Sequence, residues 1–400
     1  MKKIAIVAPA LLPIPPTKGG AVEQLINHFI EENEKYKKLD LTIVTPFEER
    51  AFEIAKKYKN TNFLWFKPRV GFAVKIRNRI FRHIICSLCN IEFYNDNQAQ
   101  IIKLLKKDQF DKIILESNSE FVNTLGRIFG KDKIVCHIHI RPMDLHEGLY
   151  ENCKAVFSVS EYIKQEIVKN TDTPSDKVFV LKNCVDTSIF KKDANQREST
   201  RQKYNLTENT VAICYVGRLV EMKGIKHLID AVVKLDSQKD FKLFIIGALG
   251  GHFKGDVNYV SPFVKNLFHV VRPLGDKVIF TDFIDNVNLP VFLNGMDIAV
   301  MPTMYKEAVA LNNIEYQSIG LPIITTNMGG IPEYVTDETA CIVENDSNLS
   351  KSILEKLEYL ISNKEARIQM GMRGIEYAKN FDTSNYLNSL IYLLDRIDRF

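Results

Sequence analysis

Two stretches of the chain place ionisable side chains where a β-rich run gives way to a helical one. In the first, VAICYVG runs into Gly217-Arg218-Leu-Val-Glu-Met-Lys223-Gly224. Two cations five residues apart, in a glycine-bearing loop that opens a helix, supply fixed positive charge, free backbone N–H groups and room for close approach. Those are the requirements of a diphosphate site. In the second, DIAVMP is followed by Thr303-Met-Tyr-Lys306-Glu307-Ala308-Val309-Ala310 and then by Leu-Asn-Asn-Ile-Glu315. A helix beginning near Ala308 would hold Glu307 at its mouth and Glu315 about two turns inside, on the same side. Carboxylates accept hydrogen bonds from sugar hydroxyls, so one would suit a hexose and the other a ribose. Taken singly, the two cations read equally well as solvated surface charge, and the two glutamates read more readily as a charge at a helix N-terminus and a surface residue.

Weaker signals lie at similar places. Gly329-Gly330 turns the chain after the apolar run PIITT, and a short helix follows at Pro332. Lys18-Gly19-Gly20 precedes a helical pattern and suits a phosphate or sugar. KIVCHIH ends in His137-Ile138-His139, and strand alternation puts both histidines on one face. His139, nearer the carboxyl end, is the active-site candidate, whereas His137 reads as structural. No Asp-x-Asp, no His-x-x-x-His and no second Cys-x-x-Cys beside Cys86-Ser-Leu-Cys89 occurs, so no metal is expected. The absence of a glycine fingerprint after a strand and of a P-loop disfavours dinucleotide oxidoreductases and P-loop enzymes.

These residues need a scaffold. Thirteen short apolar runs alternate with amphipathic helical stretches: KKIAIVA, LDLTIVT, NFLWF, DKIILE, KIVCHIH, AVFSVS and KVFVL, then VAICYVG, FKLFIIG, KVIFT, DIAVMP, PIITT and TACIV. The pattern predicts α/β architecture with parallel sheets covered on both faces. Functional residues should then follow the strands' carboxyl ends, where the unusual residues lie. Four hundred residues suit two domains, and the polar stretch 181–200 reads as their linker. The boundaries are set at 1–185 and 186–382, with the last helix, Tyr386–Ile397, carrying an apolar face that must pack somewhere. Prolines 9, 13, 15 and 16 break the opening apolar run, so it reads as a first strand rather than a signal helix. The seven cysteines are expected as free thiols in a reducing cytosol. A net charge of +4 does not argue for nucleic acid.

Assembled in order, the motifs resemble the family 4 retaining glycosyltransferases of the GT-B fold, across essentially the whole chain. The matching pieces are Gly19-Gly20, the strand ending in His139, SVSEYIKQEI (158–167), NCVDTSIF (183–190), YVGRLVEMKG (215–224), Glu307-x7-Glu315 and IGLPIITTNMGGIPEYV (319–335). The resemblance implies two Rossmann-like domains facing across a cleft: an acceptor-side domain, on which residues 383–400 pack, and a donor-binding domain. It implies that Arg218, Lys223, Gly19 and Gly20 meet the donor diphosphate and that Glu315 meets the ribose. Glu307 and the backbone of Ala308, Val309 and Ala310 would meet the donor sugar, with His139 beside the reacting carbon and, with Glu307, catalytic. Three positions depart from the family's glycines: Ala310, Cys184 and Asp282.

The implied reaction moves a hexose-type sugar from a nucleoside diphosphate, UDP favoured, to a glycan or lipid-linked glycan hydroxyl in cell-surface glycan synthesis. No metal or other cofactor is expected. The rival readings are a UDP-sugar 2-epimerase-like isomerase and a non-catalytic sugar-binding protein on the same fold. Between Glu53 and Glu92 lie nine cations and no acidic residue. Phe72, Ile76, Ile80, Ile84 and Leu88 recur every four residues there, so segment 56–88 suits contact with an anionic membrane, with Trp65 and Phe66 as interfacial anchors. The expected location is the cytoplasm, peripheral to the inner membrane face.

Overall fold

The computed structural model describes the 400 residues apart from 10, 70–94, 141–144, 236–237, 251–259 and 400. The chain forms two compact units, Met1–Asn183 with Thr383–Phe400, and Cys184–Asp382.

The first unit is built on seven parallel strands: β1 (Lys3–Val7), β2 (Asp40–Pro46), β3 (Thr61–Phe66), β4 (Lys112–Glu116), β5 (Ile134–Ile138), β6 (Ala155–Ser158) and β7 (Val178–Val180). Their order is β3-β2-β1-β4-β5-β6-β7. The second unit has six: β8 (Val211–Val216), β9 (Phe241–Ile246), β10 (Val278–Asp282), β11 (Ile298–Met301), β12 (Ile323–Thr326) and β13 (Ala340–Val343), in the order β10-β9-β8-β11-β12-β13. In each sheet the order reverses once, between β1 and β4 and between β8 and β11. Such a reversal splays the following loops apart and opens a crevice at the strands' carboxyl ends.

Both faces of the second sheet are covered. Ala212, Cys214, Phe244, Ile246 and Ala299 join one core, while Val211, Ile213, Tyr215, Leu243, Ile245 and Ile298 join the other. A strand buried on both sides needs apolar residues at successive positions, which is why these segments read as unbroken runs.

The last helix, Thr383–Ile397, is part of the first unit. Tyr386, Leu387, Leu390, Leu393, Leu394 and Ile397 are buried, and the Tyr386 ring meets Phe29 of helix Ala21–Tyr36 edge-on at 6.1 Å. Lys2 and Lys112 both pair with Asp398, at 2.5 and 2.6 Å. Leu393 is buried, whereas Ile391 is only half-buried.

Four expectations need correction. The division falls after Asn183 rather than 185, because the Val185 N–H donates to the Phe381 carbonyl at 2.9 Å and ties that stretch to the second unit. Residues 194–203 are not linker but a helix, Ala194–Lys203, held by charge. Arg197 and Arg201 reach Asp297 at 2.7 and 2.9 Å, and Arg201 also donates to the carbonyls of Thr207 and Thr210. The helix after β11 starts at Leu311, not Ala308. Phe66 is a core residue, 1 % exposed, and not an interfacial anchor. Trp65 is half-buried, stacked on Phe63 at 5.7 Å and edge-on to Phe47 and Phe52. The apolar stripe 72–88, the cations 75–82 and the pair Cys86 and Cys89 lie outside the described residues; the other five cysteines are free thiols.

Candidate functional site

At the reversal in the second unit, the loop after β8 lies against the loop after β11. Beyond Arg218 the chain makes a 3-10 turn, Glu221–Lys223, and enters helix Ile225–Val232 through Gly224. Gly224 has φ +69°, and a Cβ there would come within 1.8 Å of the Pro302 carbonyl oxygen. Only glycine lets the two loops close to this distance. The Met304 N–H donates to the Met222 carbonyl at 3.0 Å and completes the junction.

Across it, Lys223 Nζ meets Glu307 Oε1 at 2.5 Å, with side chains 21 % and 12 % exposed. The Thr303 hydroxyl donates to the same carboxylate oxygen at 3.2 Å. The loop after β12 buttresses Glu307 from behind. The Gly330 N–H donates to the Glu307 carbonyl at 2.8 Å, and Gly329, at φ +64°, would put a Cβ 2.2 Å from that oxygen. The second glycine pair is therefore a backbone clamp on the carboxylate's own residue. The sequence reading gave Lys223 and Glu307 separate roles; the fold joins them in one charge-assisted pair.

Arg218 is exposed five residues upstream of Lys223. Ala310 is the N-cap of Leu311–Ile319 without a side-chain cap, Ala308 is buried and Val309 half-buried. With the helix starting at Leu311, Glu307 lies outside it and Glu315 only about one turn inside. Glu315 is half-buried, and burial pushes its carboxyl up to about 7. Asp282 sits at φ +61°, which accounts for glycine being common at this place in the resembled family.

The reversal in the first unit is dressed differently. The loop after β1 ends in Gly19 (φ +80°) and Gly20 (φ +105°), and Gly20 is the N-cap of helix Ala21–Tyr36, with no side-chain cap. In the helix's first turn Glu23 is 5 % exposed. Burial raises its carboxyl, as does Glu116, against the pull of its own backbone N–H and of His139. His139 follows β5, and Glu116 ends β4 in register with His137. Glu116 Oε2 lies 2.5 Å from His139 Nε2 and 3.1 Å from His137 Nδ1, and all three residues are buried. Burial works against ionising Glu116, but the two histidines outweigh it and hold the carboxyl down at about 2. Burial, then His137, lower the His139 imidazole below its usual value, against the pull of Glu116 and Glu23.

Glu116, His137 and His139 are also the residues, among those described, whose ligand atoms gather within 4.8 Å as a metal site requires. Two ligands of a tetrahedral zinc stand about 3.3 Å apart given bonds near 2.0 Å. His139 Nε2 and Glu116 Oε2, at 2.5 Å, stand closer than that, at hydrogen-bonding distance. Sequence reasoning passed over Glu116 and Glu23. The signal for Glu116 was present: a carboxylate closing a wholly buried strand, KIILE, needs a partner.

Against known proteins, residues 196–377, nearly the whole second unit, match the family model for glycosyl transferases group 1. The spore coat protein SA of Bacillus subtilis (strain 168) is 23 % identical over 397 residues, 96 % of this chain and 95 % of that protein. The capsular polysaccharide biosynthesis glycosyltransferase CapM of Staphylococcus aureus is 30 % identical over 236 residues, 56 % of this chain and 57 % of that protein. Anabaena HepE, solved in complex with UDP and glucose, superposes with a TM-score of 0.72 at 14 % identity, covering 99 % of this chain and all of that one. The two parallel-sheet units thus have the GT-B fold, and the second unit matches the group 1 glycosyltransferase model.

Proposed function

We propose that the protein is a retaining, metal-independent glycosyltransferase that moves a hexose from a UDP-sugar to a glycan hydroxyl in surface polysaccharide synthesis. The observation that carries this reading is the Lys223–Glu307 pair at the sheet reversal of a unit matching group 1 glycosyltransferases. UDP is favoured because HepE binds it, and a polysaccharide acceptor because CapM serves capsule synthesis. Arg218 and Lys223 take up the charge that grows on the departing diphosphate, without a metal. Glu307 exchanges its lysine partner for a sugar hydroxyl, and Glu315 accepts from the ribose. Gly19 and Gly20 offer helix N–H groups to the donor phosphate. The departing diphosphate deprotonates the acceptor on the face it leaves, so configuration is kept. The acceptor is a free or lipid-linked glycan at the cytoplasmic membrane face. In the described part of the basic segment, Lys56 pairs with Glu53, Lys57 with Glu31 and Arg69 with Asp96.

The test is thermal stability in EDTA with UDP, GDP, ADP and UDP-glucose. UDP and UDP-glucose should raise Tm by several degrees at 100 times Kd, a gain of about 2.7 kcal/mol, with the other two weaker. No shift with any of the four, or one that returns only with added manganese, refutes the reading.

A further inference from the structure

We propose that Glu116 is a positioning residue for the transfer reaction: its carboxylate clamps the rings of His139 and His137 together and fixes which nitrogen His139 leaves free. The proposal rests on the reading above that His139 stands beside the reacting sugar.

One carboxylate oxygen receives both rings, His139 through Nε2 at 2.5 Å and His137 through Nδ1 at 3.1 Å. The ring centroids are 4.0 Å apart. An ionised carboxylate only accepts, so each histidine donates an N–H to it. With Nε2 protonated, the neutral His139 ring keeps Nδ1 as its one acceptor. Two neutral rings donating to one anion also avoid burying two like charges at this distance.

The surroundings are not those of a cluster kept only for stability. His139 Nδ1, His137 Nε2 and the Ser117 hydroxyl are all buried, with no hydrogen-bond partner among the described residues. Buried polar atoms are normally satisfied, and the two orphan ring nitrogens on histidines held by one carboxylate mark a place where a polar ligand or water completes the network. The backbone is held to this arrangement at a cost. Ser117, directly after Glu116, adopts φ +53°, and its N–H donates to the His137 carbonyl at 2.8 Å. A left-handed serine is strained and persists only where neighbouring contacts impose it. It turns the chain directly after β4, whose last residue, Glu116, meets His137 of β5 and His139 just beyond it. Glu23 adds a second buried carboxylate near His139, at the N-terminus of helix Ala21–Tyr36.

The experiment uses the full chain with Glu116→Gln, Glu116→Asp and His139→Gln, and UDP-glucose turnover as the probe. Imidazole N–H protons are read by NMR on histidine-labelled protein. The wild type should show an Nε2-bonded proton far downfield that disappears in His139→Gln and moves upfield in Glu116→Gln. Glu116→Gln should lower kcat by about 10–100-fold and leave the donor KM within about twofold, as loss of an orienting partner does. Glu116→Asp keeps the charge and should recover part of kcat, and it carries the test if the glutamine variant does not fold. Wild-type kcat in both Glu116 variants, with His139→Gln impaired, overturns the proposal while sparing the reading of His139. Wild-type kcat in His139→Gln overturns that reading, and the proposal falls with it. A stoichiometric metal ion in the purified protein also overturns it, because the metal would replace the hydrogen bonds between Glu116 and the two histidines.

Discussion

The same topological event, one reversal of strand order, is furnished in opposite ways in the two units. In the second unit it carries accessible charge: a lysine and a glutamate partly open to water, paired across two loops whose backbones touch. In the first it carries shielded charge: a carboxylate and two imidazoles, each 5 % exposed or less. A long cation that can leave its partner suits a ligand that brings its own negative charge. A buried triad does not trade charge with a diphosphate, but it can hold a ring to a fixed angle. The contrast teaches that the crevice is given by topology, and its chemistry by which residue types close the strands beside it.

The sharpest way to break the comparison is Lys223→Ala. It removes one cation from the proposed phosphate site and strands Glu307. A charged hydrogen bond contributes about 1.5–3 kcal/mol, so kcat/KM for UDP-glucose should fall roughly 10- to 150-fold. If kinetics are unchanged, the second reversal is not the donor site.

Glu315 offers a smaller effect. Ribose hydroxyls need its ionised form, while burial holds its carboxyl up near 7. UDP affinity measured by calorimetry should therefore rise about tenfold between pH 6 and 8, beyond the rise shared by Glu315→Gln, which cancels the titration of UDP itself. Identical pH profiles in both proteins would remove Glu315 from the ribose site. The same shift has a stability cost of known sign. The folded state holds this proton when the unfolded chain has released it, so stability declines as pH rises from about 4.5 towards 7 and then levels off.

The smallest effects separate the two glycine pairs. Gly329→Ala drives a methyl group into the Glu307 backbone, so it should lower Tm and displace Glu307. Gly19→Ala meets nothing within 4 Å and bears only the left-handed strain, about 1 kcal/mol. Equal losses of Tm would show that the glycine clamp on Glu307 is not tight.

Much of this was legible because a strand buried on both faces has little freedom in composition. VAICYV or FKLFII fits few other environments, so the thirteen strands and their parallel arrangement follow from the apolar runs alone. The carboxyl-end rule then located Lys223, Glu307 and His139. What stayed hidden was held by polar contacts that leave no periodicity. Helix Ala194–Lys203 reads as linker because arginines bonded to Asp297, and not an apolar stripe, dock it. Glu116 looked like a strand terminus because its partners lie 21 and 23 residues further on. Nor does spacing reveal that Lys223 and Glu307, 84 residues apart, close on each other.

The placement of Thr383–Ile397 in the first unit has a consequence for synthesis on the ribosome. Six buried apolar side chains of that helix complete a unit whose other 183 residues have already been joined, and each is worth about 1.5–3 kcal/mol once covered. The second unit is continuous from Cys184 to Asp382, so all of its residues are joined before that helix is made. The usual vectorial order is thus inverted. The half translated first is the last to be sealed, and a nascent chain truncated near residue 382 carries a whole second unit beside a first unit with an open apolar flank.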